Sequence, residues 1–220
     1  MRASKTALRL PIFEIIPMEA FDLTYRDHLA ELQQIDLANR AHARGLELRS
    51  DKIVIPFFGR PYLISKQGIV DSDGKAPTPA VATVLLTYVL RNEVTPPANP
   101  EKITFRDFKG AGPLVVSFAN NTNHLIASTF AGRRDALESA CKGLGGQPVV
   151  DAVSADLSVK FQALPGVPQY LSFNDRDDDF PAQSNLLFQR SAQRYLNLKS
   201  LFVLGTYLVG HLIKSPEKPV

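Results

Sequence analysis

The chain has 220 residues, 45% of them hydrophobic and 21% charged, with 25 Lys and Arg against 22 Asp and Glu for a formal net charge of +3. A chain of this length buries roughly 70% of the surface its unfolded form exposes, so length and composition exclude a disordered or low-complexity protein. The basic residues are scattered among acidic ones, unlike the stripe of a nucleic-acid binder, and the single cysteine, Cys141, excludes an internal disulfide and a cysteine-held iron–sulfur cluster.

The first segment, MRASKTALRLPIFEIIP, opens with Arg2, Lys5 and Arg9, but the apolar part that follows is broken by Glu14 and bounded by Pro11 and Pro17. An export signal needs about 7–15 uninterrupted apolar residues. The segment therefore reads as a cytosolic N-terminal arm, residues 1–17, whose Ile12, Phe13, Ile15 and Ile16 dock on the body. Together with the lone thiol it makes the cytoplasm the expected compartment. No apolar run reaches the about 18 residues of a membrane span. The nearest, Leu201 to Ile213, is interrupted by glycines and by His211 and reads as a buried terminal helix.

Met18 to Arg44 reads as one helix, with Leu29, Leu32 and Ile35 at helical spacing and Gly45 suited to follow its end. KIVIPFFGRPYLIS then reads as a β-hairpin, apolar on both faces of its first strand and turning at Gly59-Arg60. Arg60 at that tip is either a solvated turn residue or an anion contact. Thr78 and Pro79 suit the N-cap and first position of a helix whose buried stripe is Val81, Val84, Leu85, Tyr88 and Val89. The proline-rich segment 93–100 reads as an irregular link between subdomains of a single domain, 1–220.

Beyond it, KITF reads as a short strand and LVVSFANNTNHLIASTFAG as a helix that the Asn120–Asn123 cluster interrupts. RRDALESACKG reads as another helix. Gly143, Gly145 and Gly146 follow a helix instead of a strand, so they read as a helix end and turn, not a phosphate loop. Leu157, Val159, Phe161 and Ala163 alternate as a strand, with Val167 to Phe173 as its antiparallel partner. The rest, from Ser184, reads as one or two helices. Strands clustered without a βαβ rhythm make the expected fold α+β, a mainly antiparallel sheet built from hairpins and packed with several helices.

The densest chemistry is FNDRDDDFPAQSNLLF, with Asp175, Asp177, Asp178 and Asp179 within five residues. A calcium loop needs Gly at its sixth and Glu at its twelfth position. Counted from Asp175 those are Phe180 and Leu186, so that reading fails. A magnesium pair from Asp177 and Asp179 is one alternative. The plainer one is that the carboxylates cap a helix starting near Pro181. The four histidines share no metal-ligand spacing, and Cys141 reads as a buried helix residue.

DKIVIPFFGRPYLIS, LLTYVL, ITFRDF, GLGG and above all LPGVPQYLSFNDRDDDFPAQSNLLFQRSAQRYL together resemble domain-of-unknown-function family 3786, over about Leu46 to Leu212. That resemblance implies an anaerobic bacterial or archaeal setting, and it transfers neither an activity nor a catalytic residue. Some relatives carry a cysteine-rich cluster segment that this chain lacks. No cofactor is implied. The resulting expectation is a binding protein for a small anionic or tetrapyrrole-like ligand, or for a metalloprotein partner, with no role for nucleic acid or membrane. Arg60, Tyr62, Asp175, Asp177, Asp178 and Asp179 would border a common hollow. An enzyme using the loop aspartates as general base or magnesium ligands, and a protein-interaction scaffold, stand as alternatives.

Overall fold

The computed structural model describes residues 18–91, 101–149 and 155–214. The expected N-terminal arm and the 93–100 link lie outside these residues. The order begins with α1 (Met18–Gln33), α2 (Leu37–Ala43), β1 (Glu47–Arg49), β2 (Lys52–Phe57), β3 (Arg60–Ser65), β4 (Gly68–Asp71) and α3 (Pro79–Leu90). It continues with β5 (Lys102–Thr104), α4 (Val115–Asn121), α5 (Asn123–Phe130), α6 (Arg134–Gly143), β6 (Gln147–Pro148), β7 (Leu157–Leu164), β8 (Val167–Asn174), β9 (Gln183–Gln189), α7 (Ala192–Tyr195) and α8 (Leu198–Lys214). This is an α+β fold. The strands form two antiparallel sheets, a meander β1-β2-β3-β4 and a five-stranded sheet in the order β5-β9-β8-β7-β6.

The predicted helix over 18–44 is two helices. Asp36 stops the first and caps the second, its Oδ1 accepting from the N–H groups of Ala38 at 3.0 Å and Asn39 at 3.1 Å. A carboxylate that satisfies the orphan donors of a new helix start is a stronger local preference than continuing the old one. The α3 start follows the sequence, with Pro79 in the first turn and the Thr78 side chain accepting from Val81. The interruption near Asn120–Asn123 falls at Thr122, whose hydroxyl donates to the Phe118 carbonyl at 2.6 Å.

The hairpin turns one residue earlier than predicted. Phe58 and Gly59 are its two loop residues and both have positive φ, 48° and 79°. That is the sign pattern of a type I′ turn, which matches the twist of paired strands. The segment after the acidic loop is a strand, not a helix. Ser184, Leu186 and Phe188 point inward while Gln183 and Asn185 face water. The supposed helix start at Pro181 is thus the entry to β9, and the aspartates cap no helix.

Sheet one rests on sheet two through β2 against β7, and the Phe58 N–H donates to the Ala163 carbonyl at 2.9 Å. Helix α8 lies along α3, α4, α5 and α6 and closes the core. Its Gly205 lets Phe118 of α4 approach so closely that an added Cβ would sit 2.5 Å from the ring. Phe105, Phe108, Phe118, Phe188 and Phe202 form the aromatic centre, Phe105 and Phe118 stacked at 4.1 Å. Among the described residues no helix is long and apolar enough to cross a membrane.

Candidate functional site

The residues proposed from sequence divide into two groups. Arg60 and Tyr62 stand at the Phe58-Gly59 turn, which touches the Ala163 end of β7. The acidic loop joins Asn174 at the far end of β8 to Gln183 of β9. β8 has eight residues and leaves the β7 turn at Val167, so at about 3.3 Å per residue the groups sit at opposite ends of a strand spanning about 26 Å. They do not border a common hollow.

In the loop, Asp175 does structural work. Its Oδ1 accepts from the N–H of Gly132 at 2.6 Å and of Arg176 at 2.7 Å, and its own N–H donates to Asp156 at 2.8 Å. Burial pushes its carboxyl up, but the hydrogen bonds from Gly132 and Arg176 outweigh that and hold it below the ordinary value. Asp177 forms an Asx turn, accepting from Asp179 N–H at 2.9 Å and Phe180 N–H at 2.7 Å. Asp177, Asp178 and Asp179 are exposed, and Phe180 beside them is 66% exposed. Among the described residues no three His, Cys, Asp or Glu side chains are grouped to hold a metal.

The other group is more built. Arg60 donates to Asp71, and Asp71 is 5% exposed against 48% for the arginine side chain. The N–H of Lys75, then that of Asp73, and the guanidinium itself hold the Asp71 carboxyl below its ordinary value. Asp71 Oδ1 accepts both N–H groups at 2.9 Å. The hairpin thus presents a charged arginine whose inner edge is anchored and whose outer N–H groups face water. The exposed Asp73 approaches that guanidinium at 3.9 Å.

Two phenols flank it. Tyr62 is buried with its ring 5.9 Å below the Arg60 guanidinium, and Tyr207 of α8 packs edge-on against Phe57 at 4.7 Å and face-on against Phe58 at 5.3 Å. Burial pushes the Tyr207 hydroxyl up to about 12, with Tyr62 adding to the shift and Arg60 opposing it. Burial also raises Tyr62. Both therefore stay protonated and able to donate at neutral pH. Among the described residues neither hydroxyl has a hydrogen-bond partner. His211 lies against the Tyr207 ring at 4.1 Å, tilted by 32°, its Nδ1 2.9 Å from the Tyr207 carbonyl. Tyr207 and His211 escaped the sequence reading. Their i, i+4 spacing, polar tips on an apolar terminal helix, was the available signal.

Cys141 is buried and its thiol is pushed up to about 12 by burial and by Glu138, so it is an inert core residue. The glycine run is structural as well. A Cβ at Gly146 would stand 2.6 Å from Val159 and 2.8 Å from the Cys141 carbonyl.

A family model described as "Domain of unknown function (DUF3786)" matches residues 36–211. The chain belongs to this family. The matched stretch takes in the whole of the turn site, from Arg60 to His211, and the acidic loop. No curated protein and no solved structure matches the chain. In this DUF3786 member the turn site therefore has to be read from its own chemistry. Its groups are a half-exposed arginine held by a buried carboxylate, two protonated phenols with open hydroxyls, and the half-exposed ring of Phe58.

Proposed function

We propose that the chain is a binding module, and that Arg60, Tyr62 and Tyr207 hold a small anionic ligand with a planar face. The observation that carries this reading is the pair of phenol hydroxyls left without a protein partner beside an anchored, outward-facing guanidinium. Two neutral donors and one charged one, fixed before any ligand arrives, match a carboxylate or similar planar anion. The half-exposed Phe58 ring offers an apolar surface to a conjugated body, which is why a tetrapyrrole-like molecule bearing carboxylates fits the same chemistry. Asp71 aims the arginine. Asp73 competes for its outer N–H groups.

The enzyme reading has less behind it. A general base works best in a water-poor setting with a shifted pKa, and Asp177, Asp178 and Asp179 are exposed. A second binding mode is favoured by one observation, the 66% exposed Phe180 at the edge of those carboxylates. An apolar anchor ringed by negative charge suits a basic patch on a protein partner, a metalloprotein among the candidates.

Native mass spectrometry of the full chain, purified anaerobically from the organism that encodes it, tests the first reading. It expects a retained small anion that dissociates from Tyr207→Phe. A chain that emerges empty, or a companion lost instead on Phe180→Ala, counts against it.

A further inference from the structure

A groove of about 640 Å³ lies between the C-terminal end of α3 and the start of α8, away from the turn site. Its walls carry Arg91, Lys109 and Lys199, and among the described residues no carboxylate lines it. Among the described residues none of these three cations forms an ion pair. All three are exposed, so the groove is an electropositive concavity open to an anion.

The Arg91 side chain and the Lys109 backbone are also held in place. Gln193 ties two of the segments together. Its carbonyl accepts from Arg91 Nη1 at 3.0 Å, its amide donates to the Lys109 carbonyl at 2.9 Å, and its amide oxygen accepts from the Lys109 N–H at 3.2 Å. The Arg91 carbonyl in turn accepts from Arg40 at 3.3 Å and from Arg44. Cations at the C-terminal end of α3 complement its dipole, so their presence there has a structural reason. Lys199 has none. It stands in the first turn of α8, which has no acidic residue, where a helix dipole disfavours positive charge. The partly exposed Leu198 gives the groove an apolar wall above the buried Leu196.

We propose that this groove binds a phosphorylated small molecule, its phosphate gripped by Arg91, Lys109 and Lys199 and its body resting on Leu198. Gln193 is a positioning residue that keeps Arg91 and Lys109 on the same side of the phosphate. A phosphate dianion suits three convergent cations better than a monocarboxylate does, because its charge is spread over three oxygens, each able to meet one donor.

The test is calorimetric titration of the full chain with inorganic phosphate and with phenyl phosphate, against chloride at matched ionic strength and against benzoate. The expected result is saturable binding of both phosphates, phenyl phosphate the tighter for its apolar body, and about tenfold weaker binding in Lys109→Ala and in Lys199→Ala, each of which removes one charged hydrogen bond. Arg60→Gln leaves the phosphate affinity unchanged, so this site and the turn site stand or fall separately. The proposal is overturned if phosphate behaves as chloride does, if benzoate binds Arg60→Gln as tightly as phenyl phosphate does, or if the lysine variants, with unaltered melting temperature, bind phosphate as the native chain does.

Discussion

Phe58 stacks its ring on Tyr207 at 5.3 Å and 24° while its own backbone sits in the left-handed region, at φ 48°. A bulky residue held there costs about 1–3 kcal/mol, and the I′ turn would accept Asn at no such cost. What offsets the cost is the ring itself, which also packs edge-on against Phe57 at 5.1 Å, together with the hydrogen bond from Phe58 N–H to Ala163. The turn clamps the first sheet to the second and to α8. The same contacts fix Tyr207 beside Arg60, so fold and candidate site share one device.

A double-mutant cycle measures that clamp. Phe58→Leu and Tyr207→Leu each lower stability by about 1–3 kcal/mol, since each keeps the strained backbone and loses the stacked pair. The double variant loses less than the sum, by about 0.5–1.5 kcal/mol. Urea unfolding of the four proteins reads the coupling, and strict additivity would show that the two rings do not support each other.

Gln169 offers an independent check on the core. It is fully buried, and neither its amide nitrogen nor its oxygen has a partner among the described residues. Its neighbours across the sheet are Phe161 and Phe188. Burying an unpaired amide costs about 1–3 kcal/mol, so Gln169→Met, close in shape, raises stability by that order and the melting temperature by several degrees. A destabilised Gln169→Met would mean that an internal water or another group satisfies the amide.

Gly205→Ala runs against helix propensity. Alanine favours a helix interior by about 1 kcal/mol over glycine, but here the new methyl meets the buried Phe118 ring at 2.5 Å. Overpacking a closed core costs about 1–3 kcal/mol. The variant unfolds at lower denaturant, whereas a gain in stability would place α4 farther from α8.

The turn site also sets an alkaline limit. The folded pKa of Tyr207 lies near 12, above the ordinary 10.0, so the stability linked to its proton is complete below about pH 10 and is lost as pH rises towards 12. Cys141, raised from 9.0 to about 12, begins the decline about one unit earlier. Urea midpoints followed from pH 8 to 12 fall in that window for the native chain, and fall less steeply in Tyr207→Phe above pH 10. Identical slopes would mean the hydroxyl is already solvated.

Much of the architecture was legible because local chemistry and tertiary context agree there. Thr78-Pro79 starts α3, Thr122 interrupts α4 and α5, and Leu157 to Ala163 alternates as β7 does. The strand β9 was misread because the run of Leu186, Leu187 and Phe188 satisfies helical and extended patterns alike. The period of two lay in Ser184, Leu186 and Phe188. The meeting of Arg60 with Tyr207, and the placing of Lys199 on the groove that Arg91 and Lys109 also line, depend on how α8 docks, which no local pattern carries. The separation of Arg60 from the acidic loop has the same origin. Both flank hairpins, but they flank opposite ends of one strand.

The central claim is that the ligand sits at the Phe58-Gly59 turn and not at the acidic loop. The most direct measurement compares retention of the co-purified small anion, by native mass spectrometry, in Arg60→Gln and in Asp177→Asn/Asp179→Asn. The account predicts at least tenfold lower occupancy in the first, from loss of a charged hydrogen bond, with native occupancy and melting temperature in the second. Full occupancy in Arg60→Gln alongside loss in the aspartate variant would contradict it.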